Sequence, residues 1–116
     1  GVGRGDLGGL ARASGAPAVI SSMCVVFAET EIIGLLAGGR QAADVVAGVQ
    51  AAIAVRVGGM VGRRLEQPVC FTGGVAMVPG MVEALQKVLD CPVGVVPEPM
   101  FTGALGAAVL AAERCR

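Results

Sequence analysis

The chain is 116 residues long and 54% hydrophobic, with nine basic and nine acidic side chains, no histidine and 3% aromatic residues. Balanced charge leaves no field that would hold a nucleic acid or an anionic membrane, and the lack of histidine excludes Cys/His zinc sites and Ser-His or Cys-His nucleophile pairs within the chain. The length suits one domain, residues 1–116, with a single core. We therefore expect neither a nucleic-acid nor a membrane partner.

The first part of the chain predicts two helices around a short strand. Residues 2–16 contain a helical pattern followed by a turn, and the β-branched run at 18–22 predicts a short buried strand. Residues 25–36 place apolar side chains at helical spacing and are closed by paired glycines, so they predict a helix. Cys24 then lies at the N-terminal edge of this helix.

Residues 41–65 predict a long helix. Its most apolar part, residues 42–61, contains Asp44, Gln50 and Arg56, so it predicts a buried core helix rather than a membrane span. Four glycines weaken the helical pattern. Either another backbone or a ligand comes close to them, or the helix is bent or broken.

The stretch FTGGVAMVPG, residues 71–80, joins an apolar strand to an amphipathic helix through paired glycines. Because glycine has no Cβ, Gly73 and Gly74 can take positive φ and let a ligand lie against the main chain. Pro79 suits the start of a helix, where its missing N–H is no loss. Taken alone, the glycine pair is equally typical of an ordinary tight turn.

Residues 69–72 and 93–96 both read as strands, and each is followed by a glycine turn and a helix. In the last of these helices, residues 104–114, the helical spacing predicts that Leu105, Val109 and Ala112 face inward. The order of strands and helices predicts an α/β fold in which crossovers place both strands in one sheet, with helices on both faces. Ligands of such sheets bind at the carboxyl ends of the strands. We therefore expect Gly73-Gly74 and Thr102-Gly103 to lie at the same rim.

The segment GGVAMVPG resembles the adenosine-contacting segment of the actin, Hsp70 and sugar-kinase superfamily of ATPases. Two further segments, ISSMCVVFAETEIIGLLA (20–37) and FTGALGAAVLAA (101–112), narrow the resemblance to the BadF/BadG/BcrA/BcrD-type ATPases, which activate 2-hydroxyacyl-CoA dehydratases or serve benzoyl-CoA reductase. The resemblance implies an actin/Hsp70/sugar-kinase-like (ribonuclease H-like) lobe, the C-terminal lobe of a longer protein, with the N-terminal lobe outside this sequence. It also implies that Gly73 and Gly74 contact ATP and that Met77 neighbours the adenine.

Four cysteines occur without C-x-x-C spacing, which is typical of a reducing cytoplasm. Cys70, Cys91 and Cys115 read as structural. Spacing alone favours Cys24 as a small hydrophobe under a helix, although a helix N-terminus also favours a negatively charged ligand. The resemblance implies that Cys24 is the second of two cysteines that each subunit of a homodimer gives to one bridging [4Fe–4S] cluster, the first lying upstream of this sequence.

The resemblance implies an ATP-dependent iron–sulfur electron-transfer activator of a CoA-ester dehydratase or reductase. Its cofactors would be ATP/ADP with Mg²⁺ and the shared cluster. Its partners would be a second copy or closely related ATPase subunit, the CoA-ester enzyme, and an electron donor such as ferredoxin or flavodoxin in an anaerobic cytoplasm. ATP hydrolysis would drive electron transfer in the full-length protein, whereas this fragment alone is expected to be inactive.

Two alternatives stay open, and one position departs from the family pattern. The alternatives are a cluster-free small-molecule kinase of the same superfamily and an actin-like scaffold whose assembly is controlled by nucleotide. The departure is Met100, where many relatives carry a glutamine that can reach the nucleotide. Methionine cannot make that polar contact, but its thioether can pack against a flat base.

Overall fold

The computed structural model of the chain describes residues 1–21, 24–62 and 65–115. Within these ranges the helices and strands are α1 Leu7–Ala13, α2 Val25–Ala37, α3 Ala42–Val61, β1 Val69–Phe71, α4 Met81–Leu89, β2 Val93–Val95 and α5 Thr102–Arg114. Short 3₁₀ turns at Arg4–Asp6, Gly74–Met77 and Pro99–Phe101 come before α1, α4 and α5.

The two strands form a parallel pair, with Val69 opposite Val93 and Phe71 opposite Val95. This confirms both predicted strands and their crossover through a helix. Side chains alternate across a strand, so Val69, Phe71 and Val93 share one face, which packs against α3 and α4. The opposite face carries Cys70 and Gly94, which are exposed in this chain.

The core lies between this sheet face and two helices. Its buried members are Ala54 of α3, Leu85 of α4 and Val93 of β2. Partly buried apolar side chains surround them, namely Val57, Val69, Phe71, Val82, Ala84 and Leu89. Helix α4 is amphipathic as its pattern predicts, since Met81 and Leu85 are buried and the charged residues of its other face are exposed.

Helix α3 is continuous and central, packing against both α1 and α4. Two of its glycines are explained by close contacts rather than by a bend, whereas a Cβ at Gly59 would meet nothing within 4 Å. Gly48 lies directly against the backbone of Ala18, and Gly58 lies against Val88. The helix ends at Val61, earlier than the predicted residue 65, and residues 63 and 64 lie outside the described part of the chain.

Among the described residues, α3 is the one helix long and apolar enough to cross a membrane, judged by length and composition alone. In this fold it behaves as a core helix. Val45, Gly48, Gln50 and Ala54 are buried along its length. These buried positions support the predicted core helix, although only 22% of its most apolar window is buried in this chain.

Two details of the sequence prediction were wrong. Residues 18–21 do not join the sheet; instead the N–H of buried Ala18 donates to the carbonyl of Asp44 at 2.8 Å, and residue 22 lies outside the described part. In α5, Leu105 and Val109 were expected to face inward but are 66% and 49% exposed. The main contact of α5 is with the preceding 3₁₀ turn, so its apolar stripe has no packed surface beside it within the described residues.

Candidate functional site

The glycine turn that follows β1 places bare backbone at the carboxyl edge of the sheet. Gly73 has φ +87° and ψ 174°, a conformation that L side chains rarely adopt. A Cβ at Gly73 or Gly74 would meet no atom within 4 Å. The requirement for glycine at position 73 is therefore conformational, and the space beside the turn is open to a ligand.

The second glycine of the pair and the three residues after it form one short segment, the 3₁₀ turn Gly74–Met77. The N–H of Ala76 donates to the carbonyl of Gly73 at 3.1 Å, and the side chain of Ala76 is buried. Met77 is 56% exposed at the end of this turn. The structure thus brings together the three residues expected to contact ATP, namely Gly73, Gly74 and Met77.

The turns after the two strands meet at one rim. The carbonyl of buried Pro99 accepts a hydrogen bond from the N–H of Gly73 at 2.7 Å and another from Oγ1 of Thr102 at 3.1 Å. This confirms the expectation that the turn at Gly73 and the start of α5 share an edge. Met100 lies next to Pro99 and is 58% exposed.

Gln50 of α3 also contacts the chain that follows the glycine turn, although the sequence pattern predicted no functional role for it. Its side chain is 5% exposed, and Nε2 donates to the carbonyl of Pro79 at 2.9 Å. The carboxamide also lies against Gly80, in the space that a Cβ would need. The only sequence signal was that Gln50 is one of three polar residues, with Asp44 and Arg56, within an apolar helical run.

Cys24 occupies the N-cap of α2. Its carbonyl accepts hydrogen bonds from the N–H groups of Phe27 at 3.1 Å and Ala28 at 2.9 Å. Its side chain is exposed in this chain, so it does not pack in the core that the described residues form. Before Cys24 in the chain, Ser21 donates hydrogen bonds to the carboxylate of Glu31 in α2. Residues 22 and 23 lie outside the described part.

The described part of the chain contains no complete ligand set for an iron–sulfur cluster. Across residues 1–21, 24–62 and 65–115, no three His, Cys, Asp or Glu side chains lie close enough to hold a metal ion. All four cysteines are free; Cys91 is buried, whereas Cys70 and Cys115 are exposed. A four-iron cluster takes four thiolates, so exposed Cys24 fits such a group only as one share of a set completed from outside this chain.

Asp44 fastens the start of α3 to the segment that follows α1. Its Oδ1 accepts hydrogen bonds from Oγ of Ser14 at 2.7 Å and from the N–H of Ala16 at 3.2 Å. These bonds, that of Ser14 first, hold the pKa of the Asp44 carboxyl below its ordinary value of 3.8. Asp44 is therefore a structural anchor, remote in sequence from the glycine turn.

The parallel strand pair with a glycine turn at its carboxyl edge is the arrangement of the actin-like ATPase fold, which solved neighbours share over nearly the whole chain. The BadF/BadG/BcrA/BcrD ATPase family model matches residues 1–111. The chain belongs to the BadF/BadG/BcrA/BcrD ATPase family. Both the predicted fold class and the resemblance drawn from the three sequence segments are confirmed.

Three relatives illustrate the similarity. The activator of the 2-hydroxyisocaproyl-CoA dehydratase from Clostridium difficile, solved with bound ADPNP, is 37% identical with a TM-score of 0.83, covering 97% of this chain and 42% of that one. Component A of the (R)-2-hydroxyglutaryl-CoA dehydratase from Acidaminococcus fermentans is 39% identical with a TM-score of 0.79, covering 90% and 41%. The activator of lactoyl-CoA dehydratase from Anaerotignum propionicum is 46% identical over 97 residues, covering 83% and 38%. The chain thus spans about two fifths of the length of these relatives.

Proposed function

We propose that this chain is the C-terminal, nucleotide-binding lobe of an ATP-dependent iron–sulfur activator of a CoA-ester dehydratase or reductase. The observation that carries the proposal is the turn at Gly73, where positive φ and the absence of a side chain leave open space in which a nucleotide can lie against the main chain. Membership of an ATPase family supports it, and so does the relative solved with ADPNP, an adenine nucleotide analogue. The named relatives are activators or components of dehydratases, which favours a dehydratase as the partner.

The proposed nucleotide contacts follow from what each residue offers. The bare backbone at Gly73 and Gly74 lets ribose and phosphates approach closely. The exposed thioether of Met77 is apolar and polarizable, which suits packing against the adenine. Mg²⁺ would bind mainly through the phosphates, as it usually does. Hydrolysis is proposed for the full-length protein, and no catalytic side chain is assigned within this chain.

The electron-transfer part of the proposal rests on Cys24. Its side chain is exposed at the N-cap of a 13-residue helix, where the helix dipole favours a negatively charged group. When bound, a [4Fe–4S] cluster would supply one-electron transfer to the partner enzyme. Two copies of the protein would each contribute Cys24 and one cysteine from outside this sequence.

The fold offers a mechanical connection between the two proposed sites. Helix α2, which begins after Cys24, packs on α3, and α3 contacts the turn at Pro79 through Gln50. A nucleotide that shifts the turn at Pro79 would therefore act on α3, which is in contact with α2. We further propose a ferredoxin or flavodoxin as electron donor and an anaerobic cytoplasm as the location, since oxygen attacks exposed clusters.

The test is iron and acid-labile sulfide analysis of the full-length protein prepared without oxygen. About four of each per dimer are expected in the parent, and close to none in Cys24→Ser. Cys70→Ser is the matched control, because Cys70 is also exposed and is expected to keep the full content. Equal iron in the parent and Cys24→Ser would contradict the cluster assignment. Little iron in every sample would leave a cluster-free kinase or a nucleotide-controlled scaffold.

A further inference from the structure

Gln50 is a buried polar side chain with a specific partner. It is 5% exposed on the core helix α3, and its Nε2 donates to the carbonyl of Pro79 at 2.9 Å, 29 residues further along the chain. No buried side-chain nitrogen or oxygen among the described residues lacks a partner. A buried amide is retained only where it is hydrogen-bonded, so the bond to Pro79 fixes where this side chain points.

Gly80 makes room for the carboxamide. It takes φ +95° and forms the N-cap of α4, and a Cβ at this position would overlap the side-chain amide of Gln50. Positive φ and close approach therefore both require glycine here. Gln50 and Gly80 are complementary, and together they fix the conformation of the turn that begins α4.

The turn held by Gln50 is continuous with the proposed nucleotide contacts. The 3₁₀ segment Gly74–Met77 is four residues long, and such short turns have weak internal hydrogen-bond geometry. Before it, the N–H of Gly73 is held by Pro99; after it, the carbonyl of Pro79 is held by Gln50. The segment is therefore fixed at both ends by residues outside it.

We propose that Gln50 is a positioning residue for the nucleotide. Its carboxamide fixes the far end of the Gly74–Met77 segment, so that the exposed backbone and Met77 are held in the geometry that meets the adenosine. The inference rests on the proposed ATP site. It adds a residue from a different helix, one that does not itself touch the nucleotide.

The experiment measures binding of ADPNP with Mg²⁺ to the full-length protein by calorimetry. Gln50→Met keeps the length of the side chain and removes the donor, so affinity is expected to fall about tenfold. Gln86→Met on α4 is the matched control, because Gln86 is a half-buried glutamine outside the turn and is expected to bind ADPNP within about twofold of the parent. Unfolding by denaturant, followed in each variant, establishes the folded fraction.

A pH series on Gln50→Glu separates positioning from general destabilisation. The new carboxyl group can donate to the Pro79 carbonyl when protonated but not when ionised. Its ADPNP affinity, measured on folded protein, should therefore fall as pH rises through the pKa of that group, with affinity restored on the acid side. The neighbouring charged groups are Arg12 of α1 and Glu83 and Lys87 of α4, and the parent measured over the same pH range corrects for their titration.

The outcomes distinguish this inference from the proposed function. If the parent binds ADPNP and Gln50→Met binds it as tightly as Gln86→Met, the positioning role is wrong. If the parent does not bind ADPNP, the ATP site itself is wrong. Should Gln50→Met fail to fold, the Gln50→Glu series decides alone, and a pH profile identical to that of the parent overturns the inference.

Discussion

The carboxylate of Glu31 accepts hydrogen bonds from the backbone N–H of Ser21 at 3.0 Å and from its hydroxyl at 2.9 Å. Glu31 lies within α2, whereas Ser21 lies three residues before Cys24, the N-cap of that helix. The helix thus holds the chain that leads into its own start. Since the side chain of Cys24 is exposed, we expect this tether to help fix the direction of its thiol.

The tether predicts a specific effect of Glu31→Ala. Loss of the acceptor should loosen the approach to Cys24 and lower the unfolding free energy by about 1 kcal/mol. If Cys24 holds the proposed cluster, iron should be lost several-fold faster to a chelator under anaerobic conditions. Glu29→Ala is the matched control on the same helix, where the side chain is exposed. Equal rates of iron loss in the two variants would show that the tether does not serve the cysteine.

Asp44 predicts a pH dependence of stability. Its folded pKa is lowered, chiefly by the Ser14 hydroxyl and then by the Ala16 N–H, so the folded state binds fewer protons than the unfolded chain between the two pKa values. The stability that the ionised Asp44 carboxyl contributes is therefore present above the ordinary pKa of 3.8, and it is lost as pH falls through the folded pKa. Urea unfolding at a series of acid pH values should show that the unfolding free energy of Asp44→Asn falls less steeply with decreasing pH than that of the parent. Asp90→Asn, an exposed control, should keep the slope of the parent.

Gly73→Ala tests the conformational requirement of the glycine turn. The space beside Gly73 is open, so the substitution introduces backbone strain at φ +87° rather than a clash. The unfolding free energy should fall by about 1–3 kcal/mol, and ADPNP affinity should fall with it because the turn must distort. Gly59→Ala is the control, since Gly59 is exposed within α3 and alanine favours a helix. Undiminished ADPNP binding by Gly73→Ala would place the nucleotide elsewhere.

The glycine turn could be predicted because its signals are local. A strand, a glycine pair and an amphipathic helix follow one another in sequence, and the parallel pairing of Val69 with Val93 follows from the intervening helix. Gln50 could not be found this way, because its partner Pro79 is 29 residues away and only the folded chain brings them together. Helical spacing in α5 likewise identified an apolar stripe at Leu105 without revealing what packs on it.

The failed strand prediction at residues 18–21 has a different cause. A β-branched run indicates that a segment is extended and half-buried, but it does not say which group will satisfy its backbone. Here the N–H of Ala18 donates to Asp44 at the start of α3, while Gly48 of the same helix lets the two backbones approach. Contact with a helix therefore replaced pairing with a strand. Gly48 could be read from the sequence, but its contact with Ala18 could not, because only the folded chain brings the two together.

Met100 supports a prediction of gained affinity. It is 58% exposed beside Pro99, at the rim that holds the glycine turn, and its thioether offers no strong hydrogen bond. Because a carboxamide here could donate to or accept from the nucleotide, Met100→Gln should tighten ADPNP binding by about three- to tenfold, as expected for one added hydrogen bond. Stability should change by less than about 0.5 kcal/mol, since the site is on the surface. Met60→Gln, at an 87% exposed methionine near the end of α3, is the control for replacing any exposed methionine with a carboxamide. If both variants bind ADPNP as the parent does, the side chain at position 100 does not reach the nucleotide.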